Sequence, residues 1–197
     1  KAKLNLHAET PKPQPGEMRE RIFAPGLNDD YCRKLASQSL ALLRNQKDVL
    51  PIDTVEGRKV TVFNVFEPEN KVLEGQGVFP QEDFTAGMLR GRGAEVEEVE
   101  IVSDWPFREM MPILRKSFDS DHVFVNFFVI PSFAIGTLIP NINAVRLFYR
   151  GILTEAKNVV ITAFGDPFVM MYYPAAPTCL FTFDTTRYAQ EMAVQAW

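Results

Sequence analysis

Apolar positions recur along the chain in two rhythms. From residue 31 they fall at steps of three and four, so that Cys32, Leu35, Ala36, Ser39, Leu40 and Leu43 share one face of a predicted helix. Asn28, Asp29 and Asp30 precede it, offering N-cap oxygens and negative charge at the positive end of the helix dipole. Arg44, Asn45 and Lys47 mark its predicted end. A turn ending at Pro51 then leads into residues 59–66, where β-branched and aromatic side chains with few charges predict a buried strand. Further on, Asp83 is placed to cap a short helix over 84–90, stopped by Gly91 and Gly93. Residues 96–102 form a strand interleaved with glutamates from Glu95 to Glu100, too charged for the centre of a sheet and therefore expected near an edge.

The second half repeats the alternation. Ser103 or Asp104, with Pro106 in the first turn, starts a helix whose apolar face carries Phe107, Met110, Met111, Leu114 and Phe118. Residues 122–130 are apolar at nearly every position, which predicts a strand buried on both faces. Asn141 caps a helix bearing Ile142, Val145, Leu147, Phe148 and Ile152; residues 158–164 are a strand, Asp166 and Pro167 open a short helix, 178–183 is a strand and 185–197 a last helix. Strands and helices that alternate in this way predict an α/β fold: a three-layer αβα sandwich around a mainly parallel sheet of about five strands, with right-handed crossovers.

Composition bounds this picture. The 197 residues, 46% hydrophobic and 12% aromatic, suffice for one domain with a core of its own. Residues 1–27 stand apart: Pro11, Pro13, Pro15, Gly16 and Pro25 among charged residues predict an extended linker, leaving 28–197 as the folded domain. Lys1 to Leu6, with no initiator methionine, reads as the tail of a helix, so the sequence is expected to begin inside a longer polypeptide. A net charge of -4 with scattered lysine and arginine provides no basic stripe for a nucleic acid. No apolar run reaches the roughly 20 residues of a membrane span. Cys32 and Cys179 read as buried thiols and not as a disulfide.

Candidate chemistry is sparse. His7 and His122 lie on separate elements and, with the two cysteines also apart, no metal-ligand spacing exists. No Gly-x-Ser-x-Gly elbow, Gly-x-Gly-x-x-Gly fingerprint or P-loop is present. Gly165-Asp166-Pro167 follows a strand and opens a helix, where α/β sheets hold anions, but Pro167 removes one of the amides an anion would need; the expectation is a tight turn with a capped helix. Gly91-Arg92-Gly93 reads as a helix stop. Residues 67–81 form a long loop whose carboxylates are Glu67, Glu69 and Glu74, and long loops in compact domains are commonly functional or mobile. A solvated loop is the plain reading of these three glutamates.

One resemblance joins these segments. Ala36, Ser39, Leu42, Leu43, Arg44 and Asn45, then Leu50, Pro51, Ile52 and the strand from Val60, resemble the entry into the C-terminal α/β sandwich domain of glycoside hydrolase family 3. Residues 158–174, NVVITAFGDPFVMMYYP, are similar to that family's strand followed by a Phe-Gly-x-Pro-aromatic turn. The resemblance implies an N-terminal (β/α)8 barrel upstream in the same polypeptide, ending in a segment like Lys1–Leu6. It implies retaining hydrolysis of a β-glycosidic bond through a covalent glycosyl-aspartate, without metal or organic cofactor. In that family the nucleophilic aspartate can stand in a Ser-Asp-Trp motif, but the motif belongs to the barrel; Ser103-Asp104-Trp105 here is expected to be a helix cap. The β-N-acetylhexosaminidase-like branch draws its proton donor from the barrel, so that this chain would supply no catalytic side chain and be inactive alone. The β-glucosidase-like branch takes an acid/base glutamate from this domain, for which Glu67, Glu69 and Glu74 are the candidates. The first branch is expected, the second is the alternative, and a stand-alone α/β binding module with a ligand near Gly165 is a third reading. A periplasmic or secreted location is compatible with the parent enzyme and not fixed by the sequence.

Overall fold

The apolar runs assemble into a single sheet. The computed structural model describes residues 28–66, 83–101, 107–129, 152–153 and 156–197. Its elements are α1 (Asp29–Ser39), β1 (Ala41–Asn45), β2 (Lys59–Phe66), α2 (Thr85–Gly91), β3 (Glu95–Ile101), α3 (Phe107–Ser117), β4 (His122–Val129), β5 (Val159–Gly165), a 3-10 helix (Pro167–Tyr172), β6 (Thr178–Thr182) and α4 (Arg187–Ala196). The strand order is β1-β6-β5-β4-β2-β3. All neighbours are parallel except β1, which runs antiparallel to β6.

Burial explains the composition of each strand. Every residue of β5 is buried, as is every residue of β4 except the half-buried His122. Such strands need cover on both faces, because their side chains alternate between them. On one face Val60, Val62, Phe124, Phe128, Val160, Phe164 and Leu180 pack with Ala86 and Leu89 of α2 and with Ala193, Val194 and Trp197 at the chain's end. On the other, Phe63, Val65, Val125, Phe127 and Ile161 pack with Leu114 of α3, Ile152, and Val169, Met170 and Tyr173 at the 3-10 helix. The result is the expected three-layer α/β sandwich. The charged strand β3 lies at an edge, as its glutamates require.

Two of the caps read from the sequence are present. Asp83 accepts from the backbone amides of Thr85 and Ala86 at 3.0 and 3.2 Å, closing the start of α2. Asp166 accepts from Phe168 N at 2.9 Å at the start of the 3-10 helix. At the other end of α2, Gly93 turns the chain at φ +85°. Ser103-Asp104-Trp105, the linker 1–27 with His7, the helix start at Asn141 and the loop glutamates Glu67, Glu69 and Glu74 lie outside the described residues.

Four expectations are corrected. The first helix does not run to Arg44: it stops at Ser39, and Ala41–Asn45 is β1, which makes six strands instead of about five. Local propensity for Leu42, Leu43 and Arg44 is helical, but β6 has an open edge and the tertiary pairing wins. Arg44 then donates to the carbonyls of Tyr173, Pro174 and Ala176, and the Asn45 side chain both donates to Leu50 O and accepts from Leu50 N. Second, of the apolar face assigned to α1 only Ala36 is buried, while Leu35 and Leu43 are each 48% exposed. Two polar contacts tie α1 to α4: Tyr188 Oη donates to Asp29 Oδ1 at 2.7 Å and Arg33 Nε to Glu191 Oε2 at 3.1 Å. Third, Asn28 makes no side-chain cap hydrogen bond. Fourth, Cys179 is buried but Cys32 is only half-buried; both are free thiols.

Candidate functional site

Numbered among the parallel strands alone, the order is 2-1-3-4-5, and the direction of winding reverses between β2 and β4. Open α/β sheets take ligands in the crevice beyond the carboxyl ends of strands at such a reversal, because the connections leave in opposite directions there and part. Phe66 ends β2 and Val129 ends β4 at this place, and Asp83 brings the chain back into α2.

Below the carboxyl ends of β2 and β4 the sheet carries a polar row inside the apolar core. Asn64 of β2, Asn126 of β4 and Thr162 of β5 are register partners in turn, and all are essentially inaccessible. Asn126 Nδ2 donates to Asn64 Oδ1 at 3.1 Å and to Thr85 Oγ1 at 2.9 Å. Thr85 Oγ1 in turn donates to Asp83 Oδ1 at 2.6 Å. On the far side Asn64 Nδ2 approaches Glu98 Oε1 at 3.4 Å, and Glu98 Oε2 meets Arg90 Nη2 at 3.1 Å. Gln190 of α4 accepts from Phe84 N at 2.7 Å and donates to Thr185 O at 3.0 Å. The sequence reading missed this row; its signal was an asparagine interrupting each of two apolar runs, KVTVFNVF and HVFVNFFV.

Two aspartates at this end are engaged in turns. Asp166 caps the 3-10 helix, and Asp184 accepts from Thr186 N and Oγ1 at 3.0 and 2.6 Å. The Gly165-Asp166-Pro167 turn is thus closed by its own side chain, as expected, and does not present free amides to an anion. Among the described residues no three of His, Cys, Asp or Glu converge as a metal site. No helix among them is long and apolar enough to cross a membrane.

His122 lies at the opposite, amino end of the sheet, beside a cleft of about 390 Å³ that also receives Arg58, Asp121, Lys47 and Lys157. Burial pushes the His122 imidazole below its ordinary pKa; Asp121 opposes that shift and Arg58 adds to it. The unfolded chain therefore takes up this proton at higher pH than the folded one. Its contribution to stability is complete above the unfolded value of about 6.5 and is lost as pH falls from there through the lower folded value. Melting temperatures at constant ionic strength should accordingly fall between pH 7.5 and 5, and His122→Gln should flatten the profile; equal slopes in both proteins would refute this role.

No protein-family model matches the chain, and no curated protein matches it. Solved structures do. A glycoside hydrolase family 3 β-N-acetylglucosaminidase from Paenibacillus sp. str. FPU-7 superposes with a TM-score of 0.64 at 14% identity, over 96% of this chain and 33% of that one. The β-glucoside phosphorylase BglX gives 0.63 at 14% identity, over 98% and 33%. The β-glucosidase EmGH1 from Erythrobacter marinus gives 0.59 at 14% identity, over 91% and 29%. The chain thus has a fold like that of family 3 glycosidases, and it spans about a third of the length of the structures it matches.

Proposed function

We propose that residues 28–197 are the C-terminal α/β sandwich domain of a family 3 glycoside hydrolase, joined through the linker 1–27 to a (β/α)8 barrel that holds the catalytic centre. The observation that carries this reading is the extent of the fold likeness: it takes in nearly all of this chain and only a third of the larger glycosidase-like enzymes. A second observation agrees. Phe168 and Met171 of the 3-10 helix and Phe183 just beyond β6 are 68, 72 and 63% exposed, all after the carboxyl ends of neighbouring strands. Large apolar side chains left together in solvent are the mark of a surface that another domain covers.

The parent reaction in this reading is retaining cleavage of a β-glycoside, most simply of an N-acetyl-β-hexosaminide. A carboxylate nucleophile and a proton donor must stand about 5 Å apart on either side of one bond. Among the described carboxylates Asp83, Asp166 and Asp184 are engaged in caps and turns and Glu98 and Glu191 in ion pairs, which supports the branch in which the barrel supplies both groups and this domain shapes the rim. The β-glucosidase-like alternative assigns the proton donor to Glu67, Glu69 or Glu74.

Assays of the whole polypeptide on aryl N-acetyl-β-glucosaminide and aryl β-glucoside test both. The isolated chain is expected to be inactive on either, and Glu67→Gln, Glu69→Gln and Glu74→Gln to leave turnover near normal in the whole enzyme. A loss of ~10²–10⁴-fold in one of them, restored by azide, would assign the acid/base to this domain. A coding sequence with no barrel of about 250 residues upstream would sink the proposal and favour a stand-alone binding module.

A further inference from the structure

At the amino end of the sheet the fold brings six charges to one cleft and leaves them apart. The cleft beside His122, about 390 Å³, lies between the loop 47–54 and the chain leading into β2, β4 and β5; the loop lends it Lys47, Asp48 and Asp53, the strand starts Arg58, Asp121 and Lys157. Among the described residues no ion pair joins any of the three cations to any of the three carboxylates. Both walls are pinned from behind. The Asn45 side chain donates to Leu50 O at 2.7 Å and accepts from Leu50 N at 3.2 Å, and Ile52 N donates to Trp197 O, which fixes the loop. Lys59 N donates to Asp121 Oδ2 at 2.9 Å and Asn158 Nδ2 to Asp121 O at 3.0 Å, which ties the three strand starts together and commits the Asp121 carboxylate to backbone. Beside Arg58 and Lys157 stands His122, whose buried Nδ1 has no hydrogen-bond partner among the described residues. Opposite charges held apart across a space within the roughly 300–1,000 Å³ of small-molecule sites are each left to bond something lying between them.

We propose that this cleft binds a phosphate group through Arg58, Lys157 and Lys47, and that Asp48 and Asp53 accept from hydroxyls when the phosphate is carried on a polyol such as a sugar. The inference goes beyond the glycosidase reading and stands without it, since it concerns the amino end of the sheet and asks nothing of a barrel. Binding is linked to one proton. Burial lowers the His122 pKa, Asp121 opposes that shift and Arg58 adds to it. A phosphate set among Arg58, Lys157 and His122 gives the imidazolium a second negative neighbour, and so favours the charged ring. By reciprocity the protonated protein holds the phosphate more tightly.

Proton NMR of the histidine rings in the full chain tests it, with His7, the chain's other histidine, as the internal control. At constant ionic strength, inorganic phosphate in place of chloride should move the His122 titration midpoint up by about half a unit or more and leave His7 where it is; the displacement stays below the ~1–3 units of a close opposite charge because the cleft is open to solvent. Arg58→Met combined with Lys157→Met should abolish the displacement, read against chloride in the same variant. Both side chains are exposed, so the fold is expected to survive the change. Glucose 6-phosphate should move the midpoint further than inorganic phosphate does, and equal displacements would overturn the role given to Asp48 and Asp53. A His122 midpoint that does not move, that moves no more than that of His7, or that still moves in the double variant would overturn the site itself.

Discussion

Gly165→Ala is expected to remove most of the stability of this domain. Gly165 ends β5 at φ +97°, and a Cβ built there would lie 1.9 Å from the carbonyl oxygen of Val129 and 3.2 Å from Thr185 Cγ2. The first of these is a collision with backbone in the middle of the sheet, where no flexible side chain can give way. Nor can the end of β4 retreat without cost, because Val129 O accepts from Asp166 N at 3.0 Å. Backbone strain and steric overlap act together, so the expected cost is about 4 kcal/mol or more, a large part of the ~5–15 kcal/mol that holds a domain folded. Urea unfolding followed by near-UV dichroism reads it directly. The contrast is Gly87→Ala inside α2, where an added Cβ meets nothing within 4 Å; that change should stabilise by roughly 0.5–1 kcal/mol. Equal midpoints for the two variants would show that the β5 turn is not built as described.

Phe128→Ala is the second large effect. Its ring is inaccessible and lies stacked between Phe66 at 4.9 Å and Phe164 at 5.0 Å, so one side chain joins the ends of β2, β4 and β5 on the α2/α4 face. Truncation leaves a cavity flanked by two rings that have lost their partner, and about 3–5 kcal/mol is expected. Phe183→Ser should behave in the opposite way in the isolated chain. It is exposed and edge-on to Phe181 at 5.0 Å, so its loss should cost at most about 1 kcal/mol, while weakening association with any domain that covers it. A Phe128→Ala protein with an unchanged unfolding midpoint would mean that the aromatic stack is not part of the core.

Much of this fold was legible because its signals are local. The almost wholly apolar run of β4 could belong only to a strand covered on both faces, and the glutamates of β3 only to an edge; the sheet order bears out both. Asp83 and Asp166 were readable as caps because a short acceptor one or two residues before a helix has few other uses. Strand β1 was not readable. Leu42, Leu43 and Arg44 continue a helical rhythm, and what converts them to a strand is the free edge of β6, more than 130 residues away in sequence. Separation along the chain, here 62 residues, also hid the buried polar row: the sequence shows two asparagines out of place, but only the register of β2 against β4 makes them neighbours.

The amino-acid sequence by itself determined the alternation of strands and helices, which strands are central and where the Asp83 and Asp166 turns fall, because hydrophobic period, cap chemistry and glycine placement act over a few residues. Only the tertiary structure decided the antiparallel strand β1, the place where the winding reverses, the joining of Asn64, Asn126, Thr85 and Asp83, and the exposure of Phe168, Met171 and Phe183 on one end. Those features depend on which edges and faces remain uncovered once the local elements have packed, and free edges, register and leftover surface are properties of the assembled sheet that no short window of sequence contains.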